Sequence, residues 1–81
     1  AWTVEWLRDK IEPIKTINRK HSSYGLKQIA EKSSPKKYLT NGVFIAAAMI
    51  AGFPYKVFGD SPNPAFGMSE RSIKRARDHQ H

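Results

Sequence analysis

The chain has no cysteine, which rules out a disulfide framework, a thiolate metal site and a cysteine nucleophile. That absence is compatible with a reducing, intracellular compartment. Its longest apolar run falls far short of the roughly 18 residues that cross a bilayer. Residues 1–20 are charged and Trp-containing, without the apolar core of a signal peptide. No membrane partner is expected, and the expected setting is the cytoplasm. Acidic residues are scarce: 7 Asp and Glu stand against 14 Lys and Arg, for a net charge of +7. A glycine-rich phosphate loop of the GxxxxGK[ST] kind is also missing.

Catalysis has little to build on. His21 lies beside Ser22 and Ser23, but neighbours in sequence do not make a base and a nucleophile without spatial convergence and a third, orienting group. His79 and His81 fall in a terminal tail, and neither set has the three or four ligands at chelating spacing that a metal needs. The expected protein is not an enzyme and carries no cofactor and no metal.

What is present begins with residues 43–51, nine apolar residues in a row. A segment apolar on every side, started by Thr40-Asn41 and stopped by Gly52 and Pro54, predicts a helix over 40–51 buried on all faces. With 81 residues there is room for one core, so 1–81 is read as a single domain. A chain this short buries only about 60% of its unfolded surface, which leaves a homodimer, or folding against a partner, open.

Around that helix the spacing predicts a mainly α domain with a short β-hairpin. Val4, Leu7, Ile11 and Ile14 recur at helical steps after Thr3 as N-cap, and Pro13 should kink or divide this first helix, with a second segment running to about Arg19. Trp2 and Trp6, one turn apart, read as packing residues. Ser22 and Ser23 offer caps for a helix over 24–32 with Leu26, Ile29 and Ala30 inward and Lys27, Gln28 and Glu31 outward. Gly52 suits a left-handed helix stop, with Phe53 folding back. A hairpin is expected at about 55–68, with 59–64 as its loop. Ser69 caps a basic C-terminal helix in which Glu70 pairs with Lys74 and only Ile73 and Ala76, with Met68 just before, can face inward. That helix should be weakly anchored, and 78–81 should fray.

Basic residues carry the functional reading. Lys15, Arg19, Lys20 and His21 with Lys36 and Lys37 form one cluster, and Arg71, Lys74, Arg75 and Arg77 form another. Lys and Arg make phosphate contacts, and each contact releases counterions. The plain alternative for either cluster is a solvated face. The order helix, helix, hairpin is also that of a winged helix-turn-helix. The residues argue against a groove reader, because the second helix offers Val, Phe, Ile, Ala and Met to base edges, with Asn41 alone at its entrance. The hairpin tip at 60–64 lacks Lys and Arg, and reads as a turn better than as a wing.

Tyr24-Gly25-Leu26-Lys27, then Tyr38-Leu39-Thr40-Asn41-Gly42-Val43-Phe44-Ile45-Ala46-Ala47-Ala48, Ala51-Gly52-Phe53 and Ser61-Pro62-Asn63-Pro64-Ala65-Phe66 resemble a pattern in small uncharacterised bacterial proteins, many from phage or plasmid-like elements. The resemblance covers about residues 20–70. It implies a bacterial cytosolic setting and a link to mobile DNA, and it brings no mechanism. The basic tail after Ser72 lies outside it.

The leading expectation is therefore a non-enzymatic DNA-binding or DNA-associated accessory protein, DNA ahead of RNA. Arg71, Lys74, Arg75 and Arg77 would be its main phosphate contacts, extended by Lys36, Lys37, Arg19 and Lys20. The rival is a protein-interaction module, docking on an acidic protein or dimerising through an apolar interface. The leading expectation depends on enclosure of the central helix: Phe44, Ile45, Met49 and Ile50 lying open along a surface groove or subunit seam would overturn it in favour of an association module.

Overall fold

The computed structural model describes residues 2–35 and 37–78. Its elements run α1 (Trp2–Lys10), β1 (Pro13–Asn18), α2 (Ser23–Ser33), α3 (Asn41–Ile50), β2 (Tyr55–Lys56), β3 (Ala65–Met68) and α4 (Glu70–Asp78). The architecture is mixed, with four helices and a three-stranded antiparallel sheet, where the sequence predicted helices and one hairpin.

The extra strand is β1, where a second helical segment was expected. α1 ends at Lys10, closed by Ile11 N donating to Leu7 O. Pro13, unable to continue a helix, instead opens the strand, a position where its missing N–H costs no ladder bond. Ile14, Thr16 and Ile17 are β-branched and suit the pleat. Thr3 is likewise no cap: it lies inside α1 and is buried.

The sheet order is β1-β3-β2. Pro13 stands opposite Met68 and Asn18 opposite Phe66, so β1 bulges against its straighter neighbour. The expected hairpin is there, with Tyr55 opposite Phe66 and Lys56 opposite Ala65, but only two residues of its first arm pair. Gly67 in the central strand is required by close approach. A Cβ there would run into the Ile14 carbonyl oxygen and the Pro54 ring, while its N–H donates to Pro54 O at 2.7 Å.

The starts of α2, α3 and α4 and the stop of α3 follow the sequence reading. Ser22, Thr40 and Ser69 accept from Gly25 N, Val43 N and Ser72 N. Gly52 has φ 93, and Phe53 N folds back onto Ala48 O as its ring is buried. Lys27, expected outside on α2, is 8% exposed, its Nζ above the Tyr24 ring and 3.5 Å from Glu31.

One core unites the layers: Leu7, Ile11, Leu26, Ala30, Phe44, Ala47, Ala48, Phe66, Met68 and Ile73 among others, with Phe44 and Phe66 packed edge to face. α3 and α4 each pack on α1 and α2. α3 is not enclosed, which corrects the central expectation. Phe44 is 1% exposed and Ile45 partly buried, but Val43 is 50%, Met49 41% and Ile50 66% exposed, with Gly42 and Ala46 also open. Among the described residues, the elements cover one side of the helix and none packs on the other.

α4 is better anchored than its sequence suggested. Ile73 is fully buried, and the buried Ser72 hydroxyl accepts from Glu12 N at 3.0 Å. The tail residues His79, Gln80 and His81 lie outside the described residues, as does Lys36; Asp78 is the last residue of α4 and is exposed.

Candidate nucleic-acid interface

At 3.6 residues per turn, burying Ile73 turns Arg71, Lys74 and Arg75 of α4 towards solvent and sets Arg77 on the flank. All four are exposed. Among the described residues Arg71, Lys74 and Arg75 form no ion pair, whereas Arg77 Nε reaches its neighbour Asp78 at 3.6 Å. Two cations from other elements join them. Arg75 and Ala76 share a groove of about 250 Å³ with Trp6 and Lys10 of α1 and with Ser33. Arg77 shares a wider one, about 480 Å³, with His21, Gly25, Ile29 and Lys32. The sequence reading missed Lys10 and Lys32. Their signal, a basic last turn on α1 and on α2, was visible, but nothing in sequence placed those turns beside α4.

Glu70 and Glu31 near this face are engaged elsewhere, while Asp9 lies 3.5 Å from Lys10 itself. Glu70 accepts from Asn18 Nδ2 at 3.0 Å and meets His21 Nε2 at 3.0 and 3.1 Å, in place of the expected Lys74. The Asn18 hydrogen bond, then that of His21, hold its carboxyl below the usual carboxylate range, and Lys20 adds a smaller pull. Glu31 accepts from Leu39 N and faces Lys27.

No family model, curated protein or solved structure matches the chain. The surface chemistry alone guides its functional reading.

The first predicted cluster is dispersed. Arg19 lies 4.3 Å from the centroid of Phe58, whose ring also lies within 5.4 Å of Lys56 Nζ, so its guanidinium belongs to the β2 side. Lys20 is exposed, its N–H on Asn18 Oδ1, and Lys15 is exposed on β1. Lys37, at φ 54, turns Nζ back onto Lys32 O at 2.8 Å and closes the end of α2. Of the described members of this cluster, His21 alone sits in the α4 groove.

Asn41, Asn63 and Pro64 have structural roles. Ser23 Oγ donates to Asn41 Oδ1 at 3.1 Å, Asn41 Nδ2 to Asn63 Oδ1 at 2.7 Å, and Ser23 N to Pro64 O at 3.1 Å. This chain ties the starts of α2 and α3 to the 59–64 loop, so the loop is a stapled turn and no projecting wing. Ser22 and Ser23 are thereby occupied as a cap and a tie, apart from the His21–Glu70 pair. Among the described residues no helix is long and apolar enough to cross a membrane.

Proposed function

We infer that the protein is a non-enzymatic nucleic-acid-binding accessory protein, with DNA as the first ligand to test, that lays α4 along a phosphate backbone. One observation carries this reading: Arg71, Lys74 and Arg75 project from a helix fixed by Ile73, free of carboxylate partners among the described residues, with Lys10 and Lys32 set beside it. The fixed helix keeps these three cations on one side of the molecule, and each phosphate they neutralise releases a counterion. α3 holds no charged residue and its Asn41 is tied to Ser23 and Asn63, so the binding rests on the α4 cations, whose phosphate contacts carry no sequence information. A cytosolic setting near nucleic acid follows from this reading.

The test is fluorescence anisotropy of labelled duplex, single-stranded DNA and RNA across a salt series. Neutralising Arg71, Lys74 and Arg75 together to Gln should flatten the slope of log affinity against log salt by roughly 2 to 3, at about 0.9 per duplex phosphate contact. Absence of binding at low salt, to any of the three ligands, refutes the reading.

A protein-interaction role has its own support in the open face of α3. It uses a different face, so the two roles are compatible in one molecule.

A further inference from the structure

We propose that the groove between α1 and α4 takes in one unpaired nucleobase, so that nucleic acid with a single-stranded end is bound in preference to a blunt duplex. The proposal rests on the reading of α4 as a phosphate-contacting helix and names the form of nucleic acid that this helix selects.

Hydrogen-bonding groups without partners mark the groove. Trp6 is only 9% exposed and forms its wall, yet among the described residues no hydrogen bond engages the indole N–H. The inner flank of the ring lines an interior gap with Leu7, Ile11, Phe44 and Ile73, which offer no side-chain acceptor, and the nitrogen is not sealed from solvent. A buried indole N–H ordinarily finds an acceptor, so this one awaits an acceptor from outside the chain. The Ser33 hydroxyl, at the end of α2, also has no partner among the described residues. An indole donates and a hydroxyl both donates and accepts. The free Watson–Crick edge of a base carries donors and acceptors side by side and can serve both groups at once.

Size and charge narrow the occupant further. The groove holds about 250 Å³, below the roughly 300 Å³ at which pockets for drug-sized ligands begin. That suits one flat ring system. Lys10 and Arg75 stand at its sides, and among the described residues no carboxylate lines it. Asp9 lies 3.5 Å from Lys10, but a pair of exposed neighbours is weak and screened by solvent. A ring that carries a phosphate is therefore favoured over a neutral or cationic one. Ala76 keeps the groove open with the smallest of side chains, and the planar guanidinium of Arg75 can stack on a base face. Arg75 follows Arg71 by one turn of α4, so a strand tracking these cations reaches the mouth of the groove with its next base. A base within a duplex is held in the stack and cannot enter, whereas an overhanging one can.

Three ligands test the proposal on the whole chain by fluorescence anisotropy at fixed salt: a blunt duplex, the same duplex with a two-nucleotide overhang, and that overhang with abasic nucleotides, which keep the phosphates. The overhang with bases should bind roughly five-fold tighter than the abasic one, or more. Both should show the same salt slope, since their phosphates are equal in number. Trp6 emission, isolated in a Trp2→Phe variant, should be quenched by the first overhang and not by the second. Ser33→Leu, which fills the groove from α2, should bring the ratio of the two affinities to one, and Ala76→Leu does the same from α4 should the first variant lose its circular dichroism. Equal affinities for the two overhangs, with the duplex still bound, overturn the proposal and leave the α4 reading intact. A gain from the bases that leaves Trp6 emission unchanged, or that survives filling of the groove in a folded variant, puts the base elsewhere and overturns it too. No binding of any of the three ligands at low salt removes both.

Discussion

Asn41 is the side chain that joins two helix starts to the 59–64 loop. It accepts from Ser23 Oγ and donates to Asn63 Oδ1, and with Ser23 N on Pro64 O it fixes the 59–64 loop against two helix starts. Replacement by alanine strands the buried Ser23 hydroxyl and the half-buried Asn63 amide, which costs about 1 to 3 kcal/mol when no water takes its place. Asn41→Ala should lower the urea midpoint by a corresponding amount without changing the slope of the transition. Glu70 carries a pH dependence whose sign follows from its lowered pKa. Its hydrogen bonds from Asn18 and His21 favour the ionised form in the folded state, so their stabilisation is complete above the usual value of 4.5 and is lost as pH falls through the lowered one. Urea unfolding of the wild type and Glu70→Gln should therefore differ near neutral pH and converge in acid. A difference that persists at low pH would mean that the carboxylate charge is not what matters.

Elements were legible at their ends more than at their faces. The start of α3 at Thr40 and its stop at Gly52 and Phe53 were readable because capping is local: a side chain meets a backbone group three residues away, and the sequence contains both. Its burial was not, since nine consecutive apolar residues say nothing about how many sides the rest of the chain can cover. β1 was misread for a related reason. Ile11, Ile14 and Ile17 keep a three-residue spacing that counts as helical, and the bulge opposite β3 removes the alternation that would have marked a strand. The α4 cations were legible, while Lys10 and Lys32 came beside them only through packing, and Arg19 was drawn to Phe58. The two sides of α3 give a direct test. Phe44→Ala should cost about 3 to 5 kcal/mol, as a cavity in the core. Ile50→Ala should stay within about 0.5 kcal/mol when measured on dilute monomer, as a surface change. Equal losses at both positions would restore an enclosed helix.

Across the whole molecule, charge and size set one prediction in which stability and binding respond to salt with opposite signs. The described chain measures 33 by 23 by 19 Å. The Debye length falls from about 30 Å at 0.01 M salt to about 10 Å at 0.1 M. In dilute buffer, then, each cation feels nearly every other cation of a chain with twice as many basic as acidic residues, and the folded state is strained by self-repulsion. At 0.1 M only near neighbours interact. The attractive pairs among the described residues are few, and Lys10–Asp9 and Arg77–Asp78 join adjacent exposed residues, so screening removes little stabilisation in exchange. The melting temperature should rise between 0.01 and about 0.1 M salt, by a few degrees if screening relieves about 1 kcal/mol. Affinity for nucleic acid should fall steeply over the same interval, because there the counterions released by each phosphate contact oppose binding. Calorimetric melting and anisotropy on one protein stock measure both. A melting temperature that falls with salt would show that local ion pairs outweigh the repulsion of the basic surface.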